Sequence, residues 1–420
     1  MFTKYFEKLK IKEANYLYNL KTGHLLFLDS DSDEKVSKII NDENIKLCFK
    51  DKFILKRYGF LVSKDTPIYS KNNKAVITIG VTKKCNCNCE YCFERERRDE
   101  TSAYNTKYNF HYLLLKYILF ISRKIDSLEI IWYGGEPSIS IDEVVFISNE
   151  VSEICKKNNK CFEKSMITNG LLLNSVNISK IKTTKISRFQ ITLDGPEKYH
   201  NSIKSSATIL NFYRTVIENI KLLVKHNYKV TININVDKNN KGMIKELLDD
   251  LVINELIHNK FVNIRFSRIV GTPYEIEKIE FEEICLNYDN YLIEIGYKNF
   301  ELRSPSFEGY CQLDYNNFSI TVDNQGNLYT CIEEVFDETK SKENLEHLDW
   351  GKFIEDKMNY NSSSNVNLIG KCTACKYLPF CRGMCPLMRN QENECIELVQ
   401  KQIYREVSRY IGARYEKDII

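Results

Sequence analysis

From residue 75 onward, short β-branched apolar runs alternate with longer stretches of helical period. Ala75–Val81, Leu128–Tyr133, Lys164–Thr168, Arg188–Leu193, Lys229–Val236 and Phe261–Ser267 read as strands. Between them Tyr108–Lys124, Ile141–Lys157, Ile209–Lys225 and Lys241–Leu251 read as helices. This alternation predicts an α/β fold over 73–272, with parallel strands and crossover helices forming a barrel or a partial barrel of six β/α units. Functional side chains in such folds stand at the C-terminal ends of the strands.

The flanks have a different texture. Residues 1–72 predict a small α+β domain. It has strands at Asn15–Leu20 and Leu25–Leu28 joined by a turn at Gly23, a helix at Glu34–Ile40 capped by Asp29–Asp33, and a third strand at Gly59–Val62. Residues 273–306 carry a linking helix near 275–297. Residues 307–396 hold seven cysteines with little periodicity, a composition that relies on metal more than on an apolar core. A closing helix runs from Ile396 to Ile411 and occupies most of 397–420.

Composition narrows the chemistry. The chain has 420 residues, is 43% hydrophobic and carries a formal net charge of +3. That balance favours neither nucleic acid nor a membrane surface as partner. No run approaches the roughly 20 apolar residues of a membrane span, and the first residues lack a signal-peptide apolar core, so a cytoplasmic location is expected. Fifteen cysteines in a reducing compartment point to metal or catalysis rather than to disulfides.

Ten of them fall into spaced groups. The first, Cys85-x3-Cys89-x2-Cys92, follows the first barrel strand, with Tyr91 just before the last thiol. Three thiolates can hold three irons of a [4Fe–4S] cube and leave the fourth open. A zinc knuckle is the competing reading, but a structural zinc site needs four ligands, and using Cys87 would crowd four into eight residues. The second and third groups are Cys311, Gly326 and Cys331, with Gly326 in a hairpin turn expected at Asp323–Asn327, then Cys372-x2-Cys375-x5-Cys381-x3-Cys385 and Cys395. Seven cysteines do not divide into two four-ligand zinc sites.

The first group, with the motifs that follow it, resembles the radical S-adenosylmethionine (SAM) superfamily. Trp132-Tyr133-Gly134-Gly135-Glu136-Pro137 resembles that family's GGEP, Thr168-Asn169-Gly170 its TNG, and Thr192-Leu193-Asp194-Gly195-Pro196 its SLDGP. His200 and Asn201 stand where many relatives read HD, and Lys204 takes an arginine position, losing the bidentate fork. The resemblance implies a [4Fe–4S] cluster on Cys85, Cys89 and Cys92 whose open iron takes SAM, and a 5′-deoxyadenosyl radical that abstracts hydrogen. It also implies SAM contacts from Tyr91, Gly134, Gly135, Glu136, Thr168, Asn169, Thr192, Asp194, Lys204 and Asn235. The glycines are expected to let backbone approach the methionine amino group, and Glu136 to accept from it.

The C-terminal cysteines resemble the SPASM subgroup. That likeness implies two auxiliary [4Fe–4S] clusters, three in all: Cys372, Cys375, Cys381 and Cys395 at the outer one, and Cys311, Cys331 and Cys385 at the inner one. Relatives that mature sulfatases carry another cysteine about six residues beyond the first, whereas Leu313–Phe318 here has none. Asp314, a neighbouring asparagine, Cys285 or a substrate thiolate could complete the inner set; the substrate thiolate is favoured. Those maturases also place an aspartate base directly after the cysteine matching Cys331, where this chain has Ile332, then Glu333 and Glu334 as weak candidates for a base. The N-terminal domain resembles the leader-binding element of maturases of ribosomally made peptides. Together these features resemble the thioether-forming sactipeptide and ranthipeptide maturases. The implied partners are a precursor peptide with its leader and a flavodoxin or ferredoxin-type reductant. Carbon–carbon cross-linking, epimerisation, sulfatase-type maturation and a non-enzymatic iron–sulfur scaffold are the alternatives.

Overall fold

The computed structural model describes residues 2–41, 45–62, 74–97, 109–205, 211–302, 318–349, 352–353, 372, 374–381 and 395–415. In chain order, β1 (Phe6–Ile11), β2 (Ala14–Asn19) and β3 (Leu25–Leu28) precede α1 (Ser30–Ile40) and α2 (Phe49–Arg57). Next come β4 (Lys74–Gly80), β5 (Asn88–Cys89), α3 (Phe110–Ser122), β6 (Ser127–Tyr133), α4 (Ile141–Lys157), β7 (Cys161–Thr168) and α5 (Ser175–Ile181). They are followed by β8 (Arg188–Thr192), α6 (Glu197–Ile203), β9 (Lys204–Ser205), α7 (Phe212–Lys225), β10 (Lys229–Val236), α8 (Ile244–Ile253), β11 (Val262–Arg268) and α9 (Lys278–Glu294). The hairpin β12 (Ile320–Asp323) and β13 (Asn327–Tyr329), β14 (Glu343–Asn344), α10 (Leu378–Cys381) and α11 (Cys395–Tyr415) complete the order.

The chain divides into two compact units, one of residues 73–299 with 315–361, the other of residues 1–72, 300–314 and 362–420. The first is built on a sheet of order β11-β10-β8-β7-β6-β4-β12-β13-β14. Its six strands from β4 to β11 are the six expected, and each neighbouring pair is parallel. The sequence did not foretell the extension. The four-residue β12 lies parallel to β4, with Asp323 opposite Gly80, and β13 turns back on it through Gly326 at φ +83°. That turn is where glycine was expected, and Asp323 holds it by accepting from the Gln325 and Asn327 amides.

The second unit corrects two expectations. Its sheet is β1-β2-β3, and Gly59–Val62 is no part of it. Among the described residues one bridge, Phe2 to Leu61, forms there. Gly59, at φ +74°, instead ends α2: the Phe60 amide reaches back to the Leu55 carbonyl. The helix α2 escaped notice because its N-cap is Cys48, whose Sγ accepts from the Asp51 amide, rather than a usual capping residue. The cap at Asp29 is as expected, with the Ser32 amide 2.8 Å away.

Alternation in β2 gives this sheet two covered faces. Leu17 packs with Val36, Leu55 and Phe60. Tyr16 and Tyr18 pack with Tyr377, Phe380 and the α11 stripe Val399, Ile403, Val407 and Ile411. The segments 1–72 and 397–420, expected as separate domains, therefore share one core. The 307–396 stretch is divided between the two units, because its hairpin joins the long sheet.

Within the first unit Lys164 is almost wholly buried on β7. Its ammonium donates to the Ser148 carbonyl, the Ser152 hydroxyl and the Thr184 carbonyl, tying β7 to α4 and to the turn before β8. Burial lowers its pKa to about 8. An unfolded lysine keeps its proton to about 10.4, so between those values the unfolded chain binds more protons and native stability relative to a Lys164→Met variant should rise with pH. Denaturation midpoints of both proteins at about pH 7.5 and 9.5, one below that window and one inside it, check this; wild-type stability minus variant stability that falls as pH rises would contradict it.

Candidate functional site

The loop after β4 carries the first cysteine group, and backbone contacts set its path. The Gly135 amide donates to the Thr82 carbonyl and the Glu136 amide to the Lys84 carbonyl, each at 2.8 Å. A Cβ at Gly134 would lie 2.5 Å from the Thr82 oxygen, and one at Gly135 2.4 Å from the Lys84 oxygen. The two glycines thus let the start of the cysteine loop lie against the end of β6.

Glu136 is buried and acts as a hub. Its Oε1 accepts from the Ser138 amide and hydroxyl and from Thr168 Oγ1, and its Oε2 accepts from the Asn169 amide at 2.7 Å. Burial raises its pKa while these donors pull it back. Asn169 then reaches the cysteine loop, donating through Nδ2 to Asn86 Oδ1 at 2.7 Å and to Cys87 Sγ at 3.1 Å. Gly170 at φ +81° makes the turn after Asn169.

A second carboxylate, Asp194, holds the other side. It is fully buried, pairs with Lys204 at 3.1 Å and accepts from the Tyr91 hydroxyl at 2.6 Å. Its backbone amide donates to Nδ1 of His200, which burial holds neutral. Burial pulls the Lys204 pKa down, but Asp194 and Cys89 outweigh it and the net shift is upward. Lys204 also pairs in register with Cys89 where β5 meets β9. Its cation is therefore committed to Asp194 and the cysteine loop.

Strand ends complete the wall. Ser267 donates to Asn233, Asn233 Nδ2 to Asn235, Asn235 Nδ2 to the Tyr91 hydroxyl, and Tyr91 to Asp194. The result is a one-way hydrogen-bond chain from β11 through β10 to the loop and β8, a kind of network that polarises cooperatively. Asn240 buttresses it, donating to the carbonyls of Asp194 and Asn235 at 2.6 Å. Asn233, Asn240 and Ser267 were missed by the sequence reading. Their signal was present, since Thr231, Asn233 and Asn235 put polar groups on one face of β10 in strict alternation.

The thiols suit an iron–sulfur cube. Cys85, Cys89 and Cys92 are partly exposed, whereas Cys87 is buried. Burial pushes the Cys89 thiol up to about 12; Lys204 opposes this, and Asp194, Cys92 and Cys85 add to it. Crowded thiolates of this kind require compensating positive charge such as a metal centre supplies. Among the described residues no three donors converge as ligands of a single ion would. In a cube each thiolate bonds a different iron, so that convergence is not required.

Of the C-terminal group, Cys375 and Cys381 pack beside Tyr377 and Phe380, the Cys375 amide donates to the Cys372 carbonyl, and exposed Cys395 begins α11. Cys311, Cys385 and Asp314 lie outside the described residues. Cys285 is buried on α9. Cys331 starts a short turn in which Glu334 is a cap, its Oε2 accepting from Thr330 Oγ1 and the Cys331 amide. Glu333 is the more open carboxylate of the two. Surrounding protein raises its pKa and Arg97 opposes the shift.

Comparisons with known proteins agree with this geometry. Residues 79–251 match the Radical SAM superfamily model. A cysteine-type anaerobic sulfatase-maturating enzyme of Clostridium novyi is 23% identical over 343 residues, which is 74% of this chain and 87% of that enzyme. The solved structure described as native anSMEcpe with bound AdoMet and Cp18Cys peptide matches at TM-score 0.58 and 18% identity, covering 81% of this chain and 97% of the other. Streptococcus suis SuiB bound to precursor peptide SuiA matches at TM-score 0.51 and 15% identity, covering 92% and 95%. At these identities the solved structures speak to fold. The three-thiol loop at the carboxyl ends of six parallel strands and the matched model lead to one conclusion: residues 79–251 of this chain are a radical SAM domain.

Proposed function

We propose that this chain modifies a ribosomally made precursor peptide and that its product is a thioether cross-link. The observation that carries the radical chemistry is the set of three partly exposed thiols beside a polar wall of strand ends. When bound, a [4Fe–4S] cluster on Cys85, Cys89 and Cys92 together with SAM supplies a hydrogen-abstracting radical. The chain's own work is positioning. Glu136 and Asn169 hold one side of the loop, and Asp194, Lys204 and Tyr91 hold the other. Thr192, Asn235 and their neighbours offer hydroxyls and amides to a nucleoside. Asp194, buried and already paired, orients Tyr91 rather than moving a proton.

The thioether reading rests on residues that set this chain apart. No cysteine follows Cys311 within Leu313–Phe318, so an inner cluster on Cys311, Cys331 and Cys385 would keep one iron for a substrate thiolate. Cys372, Cys375, Cys381 and Cys395 would hold the outer cluster; with the inner one it would offer a route out for the surplus electron, and a flavodoxin or ferredoxin-type protein would be the reductant. A leader peptide would add as a strand beside β3, one of the two edges of the three-stranded sheet, where Phe27 is exposed. Glu333 is the better placed of the two glutamates to take a proton from the peptide, since Glu334 is spent on its own turn. Sulfatase-type maturation is the second reading, favoured by the Clostridium novyi relative.

The deciding experiment incubates reconstituted enzyme, SAM, dithionite and a cysteine-bearing precursor peptide without oxygen. A peptide lighter by two hydrogen atoms, with its cysteine blocked to alkylation, is expected. Formylglycine in a sulfatase peptide, or deuterium uptake without mass loss in protium, would replace the thioether reading. Alanine at Cys85, Cys89 and Cys92 together should abolish 5′-deoxyadenosine and lower bound iron; retained cleavage of SAM would overturn the radical assignment. Tyr91→Phe removes one donor to Asp194 and one acceptor for Asn235, and should raise the KM for SAM by about tenfold, the equivalent of one lost hydrogen bond to a charged group. Glu333→Gln should slow peptide modification by about a hundredfold while SAM cleavage persists, as loss of a proton acceptor would.

A further inference from the structure

The turn that carries Cys331 is fastened to the cysteine loop by a residue that no sequence motif marks. Arg97 lies in the short helical turn Arg95–Arg97 that follows Cys92. Its Nη1 donates to the Glu333 carbonyl at 2.8 Å and to the Val335 carbonyl at 3.0 Å. Its other nitrogen faces Asp337 at 3.8 Å, and its guanidinium lies 5.5 Å from the Phe93 ring centre. One planar cation thus spans two carbonyls of one loop while lying over an aromatic ring of the other, a geometry lysine cannot copy.

The same turn is seated from below. Phe336 adopts φ +65°, unusual for a bulky residue, and its ring occupies the space above Gly80, where a Cβ would meet Phe336 Cζ at 2.8 Å. Lys83 reaches Glu338 at 3.4 Å and lies 5.8 Å from the Phe336 ring. Such a backbone conformation persists where the surroundings over-determine it, and here three separate contacts do so. Tyr133, at the end of β6, packs against Tyr329 and against Val335 and Phe336 of this turn.

We propose that Arg97 is a positioning residue that holds Cys331 and Glu333 against the three-cysteine loop, so that hydrogen abstraction and the later fate of the peptide occur in one place. The inference rests on the radical peptide-modifying reading for its functional half alone. Its structural half can be read without any substrate.

Hydrogen–deuterium exchange on the full chain supplies that reading. Arg97→Ala should speed exchange of the Glu334, Val335 and Asp337 amides by about tenfold or more, the effect of about 1.4 kcal/mol of lost local protection. Strands β6 and β10 should be unchanged, and Arg97→Lys should fall between. Wild-type exchange in the turn, or faster exchange throughout the domain, would overturn the proposal. In turnover, Arg97→Ala should keep iron content and peptide-free SAM cleavage within about twofold while modified peptide per 5′-deoxyadenosine falls about tenfold. A parallel fall of both would overturn it. A wild-type protein that cleaves no SAM would sink the functional reading instead, and the exchange result would still decide the role of Arg97.

Discussion

A fully buried carboxylate organises the carboxyl ends of these parallel strands. Asp194 has no solvent, and an uncompensated buried charge costs several kcal/mol. Its partners come from three places: Lys204 after α6, Tyr91 in the cysteine loop and the Asn235 amide on β10. None can move without leaving the charge exposed to an apolar interior. A loop that would otherwise be free to writhe is held at one end of its thiol run by this demand.

Glu136 imposes the matching constraint on the opposite side, with hydrogen-bond donors in place of a cation. Its four donors come from its own turn and from the Thr168–Gly170 segment, which also grips Asn86 and Cys87. The thiols therefore sit on a frame whose rotamers are locked by neighbours, the condition for a site that needs little rearrangement when it binds. Asparagine recurs through this frame at 86, 169, 233, 235 and 240. All but Asn86, which here only accepts, supply a donor and an acceptor at once, which lets chains of bonds pass from strand to strand.

Much of this was legible in the sequence, and the failures have physical causes. The six parallel strands announced themselves because short β-rich segments, near-continuously apolar in β4 and alternating with polar residues in β10, recur between helical stretches. The cysteine spacing and the motifs at strand ends located the site. What the motifs could not say is what each residue touches. Gly134 and Gly135 accommodate the chain's own Thr82 and Lys84, and Lys204 faces Asp194, because local sequence does not encode which distant backbone arrives alongside. The β12–β13 hairpin was recognised as a turn, yet a four-residue strand has too few positions to reveal its pairing partner. The helix α2 lacked a customary cap, and Gly59 could as well open a strand as close a helix. Arg97 carried no signal at all, being one of several arginines in a charged run.

The tyrosines of β2 and the isoleucines of α11 belong to one hydrophobic cluster although nearly the whole chain separates them in sequence. For anyone building chimeras from this scaffold, the first seventy residues are not an interchangeable cartridge. A transplanted front piece would present Tyr16 and Tyr18 to water unless the matching tail travelled with it, so exchange between relatives has to be made in pairs of segments.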